Sequence, residues 1–255
     1  MRFTCAFALA LGGCAAAPAI DESKVVDLTY PFNDQTVYWP TAEKFGLTKV
    51  AWGMNESGWW YASNDYCASE HGGTHMDAPI HFAAGGWTTA EVPVNRLIGP
   101  ARVIDIREQC QRDRNYLVSV QDIERYERRY GPIAPGDVVL IRTGFGRFYP
   151  ELKRYLGSDV RGKAEGLSFP GISQDAARAL VERKVDAVGL DTASLDHGPS
   201  KDFRAHRVLL GANIPGLENV ANLDRLPPKG ATIVALPMKI DGGTGGPCRI
   251  IAILP

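Results

Sequence analysis

The sequence predicts one α/β domain, and three features of the chain point to this fold class. Short runs rich in valine and isoleucine recur along the chain, as is typical of β-strands. Segments with a helical spacing of apolar residues lie between these runs. No linker-like stretch or internal repeat interrupts the chain after residue 20, so we assign residues 21–255 to a single domain.

Five apolar runs are predicted as strands. They lie at residues 102–106, 138–143, 185–190, 232–240 and 249–254. Most of them are bounded by glycine, proline or charged residues, which mark the ends of strands. The run at 138–141 is apolar without a break, and this pattern indicates a strand that is buried on both faces.

Two helices are predicted between these strands. Ser119 is placed to cap a helix that runs to about residue 130, with Val120, Ile123 and Tyr126 on one face. Ser173 is placed to cap a second helix that runs to about residue 184. The glycine-rich segment 242–247 lacks the lysine and the strand-to-helix setting of a phosphate-binding loop. We interpret it as a tight connection between the last two strands.

The first 20 residues are predicted to be a secretory signal peptide. Arg2 is followed by a short apolar run at 3–13 and then by small residues. The run is too short to span a bilayer as a stable helix. Residues 11–14 also resemble a lipobox, in which Cys14 would carry a lipid, and ordinary cleavage after one of the alanines is the alternative. Both alternatives predict export, to the periplasm or to a lipid-anchored position at the bacterial cell envelope.

Composition argues against a nucleic-acid partner and leaves the pairing of the cysteines open. Hydrophobic residues make up 45% of the chain, and the formal net charge is −1. Because no basic stripe is visible, we do not expect the chain to bind nucleic acid. Beyond the signal segment lie Cys67, Cys110 and Cys248, an odd number that leaves at least one thiol unpaired in an oxidising compartment. The sequence does not decide whether two of them form a disulfide.

The segment 71–82, with the sequence HGGTHMDAPIHF, is the strongest functional signal in the chain. It places His71, His75, Asp77 and His81 within eleven residues, although the whole chain has only five histidines. Histidine and aspartate are common ligands of zinc and manganese ions. The two glycines after His71 allow the backbone to bend, so that several side chains can point at one ion. We therefore interpret the segment as a metal site rather than as unrelated surface or core histidines.

A histidine and a glutamate twelve positions apart add to this site. His206 and Glu218 could hold a second metal ion or form the other wall of the same site. Each has an ordinary alternative when it is considered alone. A single histidine is often a solvated or core residue, and glutamate is usually a surface carboxylate.

Together these motifs resemble the cyclase-type metal-dependent hydrolases, the family that includes isatin hydrolase and bacterial kynurenine formamidase. HGGTHMDAPIHF resembles the central signature of the family. Flanking segments resemble it at 26–29, 38–40, 142–144, 191–194 and 206–222, so the resemblance covers most of the chain from residue 25 onward. Glu70 and the aromatic run at 59–61 look more like isatin hydrolase than like the shorter formamidases.

The resemblance implies a fold, a cofactor and a role for each site residue. The fold would be a compact α/β domain with a mixed, barrel-like β core flanked by helices, assembled as a homodimer or a higher oligomer. His81 would act as an acid or base beside one or two divalent ions, Mn²⁺ or Zn²⁺. The ligands of the principal metal would be His71, His75 and Asp77. The residues available to a second ion, to substrate or to water would be His206 and Glu218.

The predicted activity is metal-dependent hydrolysis of a carbonyl–nitrogen bond in a small aromatic lactam or N-acyl amine. A bound divalent ion can activate water near neutral pH and polarise a carbonyl group, and an imidazole such as His81 can carry a proton to the leaving nitrogen. Trp59, Tyr61 and Phe145 are predicted to contact the substrate, with core packing as the ordinary alternative. Opening of isatin to isatinate is the first expected reaction, and hydrolysis of N-formylkynurenine is the second. A binding protein that captures a ligand without turnover is a further alternative, against which His81 argues.

Overall fold

Twelve strands and five α-helices lie in residues 20–255, the part of the chain that the computed structural model describes. The strands are β1 (Val25–Asp27), β2 (Gly46–Met54), β3 (Trp60–Cys67), β4 (His75–Asp77), β5 (Ile98–Asp105), β6 (Leu117–Val118), β7 (Val138–Arg142), β8 (Gly171–Ile172), β9 (Ala187–Leu190), β10 (Gly216–Glu218), β11 (Lys229–Pro237) and β12 (Gly245–Ile253). The helices are α1 (Arg107–Arg112), α2 (Val120–Tyr130), α3 (Leu152–Tyr155), α4 (Gln174–Glu182) and α5 (Arg204–Gly211). Short 3-10 turns lie at Glu22–Lys24, Pro79–His81, Val94–Arg96, Phe145–Phe148 and Leu223–Arg225. Apart from Ile20, the predicted signal segment lies outside the described residues, and so does its Cys14.

Seven of the strands form a closed barrel. Their order is β12, β11, β5, β7, β9, β10 and β4, and β4 pairs with β12 to close the ring. The neighbours from β5 through β10 run parallel, whereas the other pairs are antiparallel. Strand β1 pairs with the C-terminal end of β12, at residues 251–253, and lies beside the ring. This mixed barrel with its flanking helices confirms the predicted fold class.

Strand β7 shows how the barrel divides its apolar residues between two cores. Val138 and Leu140 belong to the cluster that fills the barrel. Val139 and Ile141 belong to the cluster between the barrel and the helices. Successive side chains of a strand point to opposite faces, so a strand that is covered on both faces needs an unbroken apolar run. This explains why the sequence lacks polar residues at 138–141.

All five predicted strands are present, as β5, β7, β9, β11 and β12, although their ends differ by a few residues. The main difference concerns the glycine-rich segment 242–247. Its last three residues belong to β12 and pair with β4. Residues 242–244 lie in the connection between β11 and β12, as predicted, whereas residues 245–247 belong to β12 and take part in the barrel closure.

Both predicted helices begin where their caps indicate. The Ser119 hydroxyl accepts a hydrogen bond from the backbone N–H of Asp122, and the Asp122 carboxylate accepts one from the backbone N–H of Ser119. This reciprocal pair is a capping box at the start of α2. The Ser173 hydroxyl caps α4 by accepting from the N–H of Ala176. Because both helices pack on the outer core, their caps set where each helix meets the barrel.

Strands β2 and β3 form a separate two-stranded hairpin that the sequence analysis does not predict. Cross-strand partners share a face, and one face carries Leu47 opposite Tyr66 and Met54 opposite Trp60. Trp52 lies on the same face, and all five side chains are exposed. The opposite face is mostly polar or small. The hairpin is thus an amphipathic ribbon whose apolar face is not covered by the chain itself.

Two further observations concern the membrane and the cysteines. Within residues 20–255, no helix combines the length and the apolar character needed to cross a bilayer. Cys67, Cys110 and Cys248 are free thiols, so no disulfide forms among these three residues. Burial raises the pKa of the Cys110 and Cys248 thiols, which keeps both in the protonated, unreactive form at neutral pH.

The capping box of α2 gives a test of this description. We expect Ser119→Ala to lower the free energy of unfolding by about 1 kcal/mol, because it leaves a helix N–H without its acceptor. Urea titration followed by circular dichroism measures this change. Ser57→Ala, in the exposed turn of the hairpin, is the control and should change the stability by less than about 0.5 kcal/mol. Equal stability of both variants would contradict the assignment of the cap.

Candidate metal centre and substrate pocket

Three short strand segments meet where the barrel closes, and they carry half of the candidate site. Strand β4 pairs with β10 on one side and with β12 on the other. His75 and Asp77 are two residues apart on β4, so their side chains leave the same face of the strand. Glu218 lies opposite His75 in the register of β10. The closure of the barrel thus brings Glu218 beside the histidine-rich segment.

His71 and His81 come from the irregular backbone on either side of β4. Between His71 and β4, Gly73 has a φ of 57°, a left-handed conformation that costs glycine little. After β4, Pro79 begins the 3-10 turn that contains His81. The rings of His71 and His81 stack with their centroids 3.9 Å apart. The segment bends as its glycines predict, and its two outer histidines meet.

His206 enters the site from helix α5. Its Nδ1 lies 2.7 Å from Oδ2 of Asp196. The same carboxylate accepts hydrogen bonds from the backbone N–H groups of Ala205 and His206 in the first turn of the helix. Asp196 therefore fixes both the start of α5 and the orientation of the imidazole. The other ring nitrogen, Nε2, is directed toward Asp77 and Glu218.

The Asp77 carboxylate lies at the centre of the cluster. Its Oδ1 is 2.7 Å from Nδ1 of His71 and 3.1 Å from Nε2 of His75. Its Oδ2 is 3.1 Å from Nε2 of His206. The Glu218 carboxylate approaches from the other side, 3.2 Å from Nε2 of His206 and 3.5 Å from Nε2 of His75. Two buried carboxylates thus share three imidazoles.

The pKa values in this cluster reflect burial opposed by close contacts. Burial alone would raise the pKa of Asp77, but its close contacts with the imidazoles of His206, His71 and His75 hold the pKa well below its usual range. Burial and the nearby charge of Asp77 raise the pKa of Glu218. The two carboxylates therefore differ in proton affinity, and Asp77 is the one that stays ionised most firmly.

The imidazoles fall into two groups. Burial would lower the pKa of His75, but the close Asp77 carboxylate, together with the charge of Glu218, raises it to about 9. The pKa of His206 is also raised, because its contacts with Asp196, Asp77 and Glu218 outweigh the effect of burial. His81 behaves differently, since partial burial among other imidazoles lowers its pKa to about 4. His81 is therefore neutral at pH 7.

The residues present fit a divalent metal. Nε2 of His75 is buried and makes no hydrogen bond to any residue in the described part of the chain. A buried polar atom of this kind needs a partner, and a metal ion would be one. Two sets of ligand atoms each lie within 4.8 Å of one another. These sets are His71, Asp77 and His81, and His75, Asp77 and Glu218. Nitrogen and carboxylate oxygen ligands suit zinc and manganese.

A cavity of about 350 Å³ opens onto this cluster. The ionisable residues form one end, and aromatic side chains form part of the wall. Trp39, Phe82 and Phe203 line it, with Phe82 and Phe203 5.3 Å apart between ring centroids. A volume in this range suits a small organic ligand, and aromatic walls favour a flat apolar one.

The predicted substrate contacts lie elsewhere. Phe145 is only 3% exposed and packs in the outer core, because the turn that follows β7 directs it inward. Trp59 and Tyr61 lie on the exposed hairpin, where their rings pack edge-to-face 6.0 Å apart. None of the three lines the pocket of its own chain. The aromatic surface is instead supplied by residues that the sequence analysis did not select.

Several contacts in the candidate site were not predicted, because they join residues that are distant in the sequence. Asp196 has no local motif, and its contact with His206 depends on the path of the chain into α5. Trp39 and Phe203 lie 164 positions apart in the sequence and come together only in the folded protein. Trp39 stands next to Pro40, and Phe82 next to His81, so both aromatic residues lie in recognisable motifs. The sequence does not show that they line one cavity.

Comparison with known proteins places the chain among metal-dependent hydrolases. The model of the family described as "Putative cyclase" matches residues 26–197. An isatin hydrolase from Roseibium aggregatum is 32% identical and aligns over 96% of this chain and 97% of its own length. A kynurenine formamidase from Bacillus cereus is 29% identical over 90% of this chain and 97% of its own. The crystal structure of an isatin hydrolase with the product analogue thioisatinate superposes with a TM-score of 0.81, at 31% identity, covering 91% of this chain and 92% of the other.

The chain belongs to the cyclase family. The barrel, the buried cluster of histidines and carboxylates and these relatives define its class, a metal-dependent hydrolase that acts on carbonyl–nitrogen bonds other than peptide bonds. The family and the reaction class predicted from the sequence are thereby confirmed.

Removal of a central ligand tests the metal site. We expect His75→Ala and Asp77→Asn to lose bound zinc or manganese on dialysis, because each removes a donor from the buried cluster. Metal content measured by plasma emission spectroscopy gives the result directly. His197→Gln removes a histidine that does not line the pocket and should retain the wild-type metal content. Full metal content in both site variants would contradict the assignment.

Proposed function

We propose that this chain opens isatin, or a similarly small aromatic lactam, by hydrolysis of its ring amide with Zn²⁺ or Mn²⁺ as cofactor. The observation that carries the proposal is the pocket, which places a buried histidine–carboxylate cluster at one end of an aromatic cavity of about 350 Å³. The identity to isatin hydrolases over almost the whole chain supports this choice of substrate.

The metal would be held first by His71, His75 and Asp77. When bound there, a divalent ion would make water available as a nucleophile near neutral pH and would polarise the substrate carbonyl. His206 and Glu218 add a nitrogen and an oxygen on the other side of Asp77. Nε2 of His206 lies 3.1 Å from Oδ2 of Asp77 and 3.2 Å from Oε1 of Glu218. They would bind a second ion or orient the attacking water.

His81 is the residue best placed to move the proton. Its ring lies over His71 at the pocket wall, and its nitrogens make no hydrogen bond within the described residues. As a neutral imidazole it can accept a proton from water as the oxygen bonds to the carbonyl carbon. It can then donate that proton to the ring nitrogen as the carbon–nitrogen bond breaks. The products are a carboxylate and an aromatic amine.

Hydrolysis of N-formylkynurenine is the second candidate, favoured by the 29% identity to kynurenine formamidases. The same residues would act on a formyl amide in place of a ring amide. The two candidates differ in where the aromatic ring lies relative to the bond that breaks, so comparing kcat/KM for the two substrates separates them. A role in binding alone would give neither product.

The first activity prediction concerns isatin and His81. We expect the metal-loaded protein to open isatin with a change in absorbance, and the metal-free protein not to. His81→Ala should retain metal while kcat falls by about 10²–10⁴-fold, the usual contribution of a general acid–base residue. If His81→Ala lost the metal as well, His81 would be a ligand. A metal-loaded wild type inert toward both isatin and N-formylkynurenine would refute the proposed reactions.

We also propose that two copies of the chain associate through the apolar face of the β2–β3 hairpin. A two-stranded ribbon is marginally stable alone, so an exposed apolar face calls for a covering surface. Trp52, Trp60 and Tyr66 are 54–59% exposed, so each would bury somewhat more than half of the roughly 150–250 Å² that a fully buried aromatic side chain removes from water. With Leu47 and Met54, the face supplies an area on the order of the 800 Å² per partner of a standard interface. A second copy brings the same apolar face and needs no other partner.

Two neighbouring aromatic residues test this interface. Trp60 is 57% exposed on the apolar face and Tyr61 is 50% exposed on the opposite face. We expect Trp60→Ser to halve the mass measured by size-exclusion chromatography with light scattering. Tyr61→Ser should leave the dimer intact, because its side chain points away from the proposed contact. A monomeric wild type, or equal masses for the two variants, would contradict the interface.

We propose that the protein is exported, on the basis of the sequence pattern of residues 1–20. Cell fractionation with a C-terminal tag tests this, and labelling with a radioactive fatty acid in wild type and Cys14→Ser distinguishes a lipid anchor from simple secretion. Recovery of the uncleaved chain in the cytoplasm would contradict export.

A further inference from the structure

The glycine-rich segment that precedes β12 contacts the candidate metal centre. The backbone carbonyl of Thr244 accepts a hydrogen bond from the N–H of Ala78, and Gly245 lies opposite Asp77 in the sheet register. The segment is therefore anchored to β4, next to the carboxylate at the centre of the cluster. Its side chain at position 244 reaches His71.

Three side chains form a chain of hydrogen bonds that ends at His71. Nε2 of His71 lies 2.9 Å from the Thr244 hydroxyl. That hydroxyl lies 2.5 Å from Oε2 of Glu70, and the same oxygen accepts a hydrogen bond from the Thr244 N–H at 3.0 Å. The opposite ring nitrogen, Nδ1 of His71, lies 2.7 Å from Asp77.

The directions of these hydrogen bonds follow from their chemistry. An ionised carboxylate can only accept, so the Thr244 hydroxyl donates its single hydrogen to Glu70. The hydroxyl oxygen then has only lone pairs to offer to His71. Nε2 of His71 must therefore carry a hydrogen and donate it to Thr244. Nδ1, which lies 2.7 Å from Asp77, is then the nitrogen that would exchange the hydrogen shared with Asp77 for a metal.

The two glycines on either side of Thr244 allow this approach. A Cβ atom at Gly245 would lie 2.5 Å from Cε1 and 2.9 Å from Nδ1 of His71. A Cβ atom at Gly243 would lie 3.0 Å from Oε1 of Glu70 and 2.8 Å from Cβ of Ile240. The backbone thus fits closely around the imidazole and the carboxylate. Side chains at these two positions would displace the groups that Thr244 joins.

We propose that Glu70 and Thr244 are positioning residues that fix the tautomer and orientation of His71 for metal binding. The inference rests on the proposed metal-dependent function and deepens it. It assigns the glycine-rich segment a task, which is to hold a metal ligand from the side away from the metal. Such outer contacts typically change metal affinity by about 10–100-fold when they are lost.

The test compares two substitutions of Thr244. Thr244→Val keeps the shape of the side chain and removes the hydroxyl, whereas Thr244→Ser keeps the hydroxyl. We expect Thr244→Val to weaken zinc binding by about 10–100-fold in competition with a chelator, and Thr244→Ser to remain within about threefold of wild type. Thr88→Val is the matched control, because the Thr88 hydroxyl also donates to a carboxylate, that of Glu91, but does not contact His71.

Nuclear magnetic resonance of the zinc-loaded wild type reads the tautomer directly. Long-range proton–nitrogen correlations should place the hydrogen of His71 on Nε2 and the metal on Nδ1. A hydrogen on Nδ1 would overturn the proposal, and so would unchanged zinc affinity in Thr244→Val. The wild-type spectrum keeps the proposal testable if Thr244→Val fails to fold, which circular dichroism of the metal-free proteins reveals. Absence of turnover in every protein would refute the proposed hydrolysis but leave both of these results standing.

Discussion

The buried carboxylate of Asp77 is the contact on which the site depends. A charge in the protein interior is costly unless it is paired, and Asp77 lies beside three imidazoles, two from the segment 71–82 and one from α5. Its position is fixed by the barrel, since it lies between Gly216 of β10 and Gly245 of β12 in the sheet register. The strand pairing that closes the barrel therefore also brings together residues of the candidate metal centre. The fold and the candidate site thus depend on the same pairings of β4 with β10 and β12.

The strands that could be predicted from the sequence are those with runs of valine, isoleucine, leucine and alanine. Strand β7 is the clearest case, because its unbroken run is required by the two cores that it separates. Strands β4 and β10 have three residues each and were not predicted as strands. Their residues were selected for their chemistry, and they become strands only through their neighbours in the closed ring. The hairpin was missed because its aromatic residues were interpreted as a substrate surface.

The candidate ligands could be predicted from the sequence because their type and spacing are unusual. A local segment supplied His75 and Asp77, and His206 was selected because it could complete the same site. The residues that orient these ligands were not accessible. Thr244 meets His71 across 173 positions of the chain, and only the closed barrel brings them together. The aromatic residues of the pocket are also far apart in the sequence, so the size and shape of the pocket could be seen only in the structure.

Direct observation of a bound metal is the strongest test of whether Asp77 lies at the centre of a metal site. Crystals grown with Mn²⁺ and measured near the manganese absorption edge would reveal the ion through its anomalous scattering. We predict a peak bonded to the Asp77 carboxylate and to Nε2 of His75, the buried nitrogen that makes no hydrogen bond in the described part of the chain. Two peaks that share Asp77 would add His206 and Glu218 as ligands. An active protein with its metal bound elsewhere, and none at Asp77, would contradict the assignment of Asp77 as the shared metal ligand.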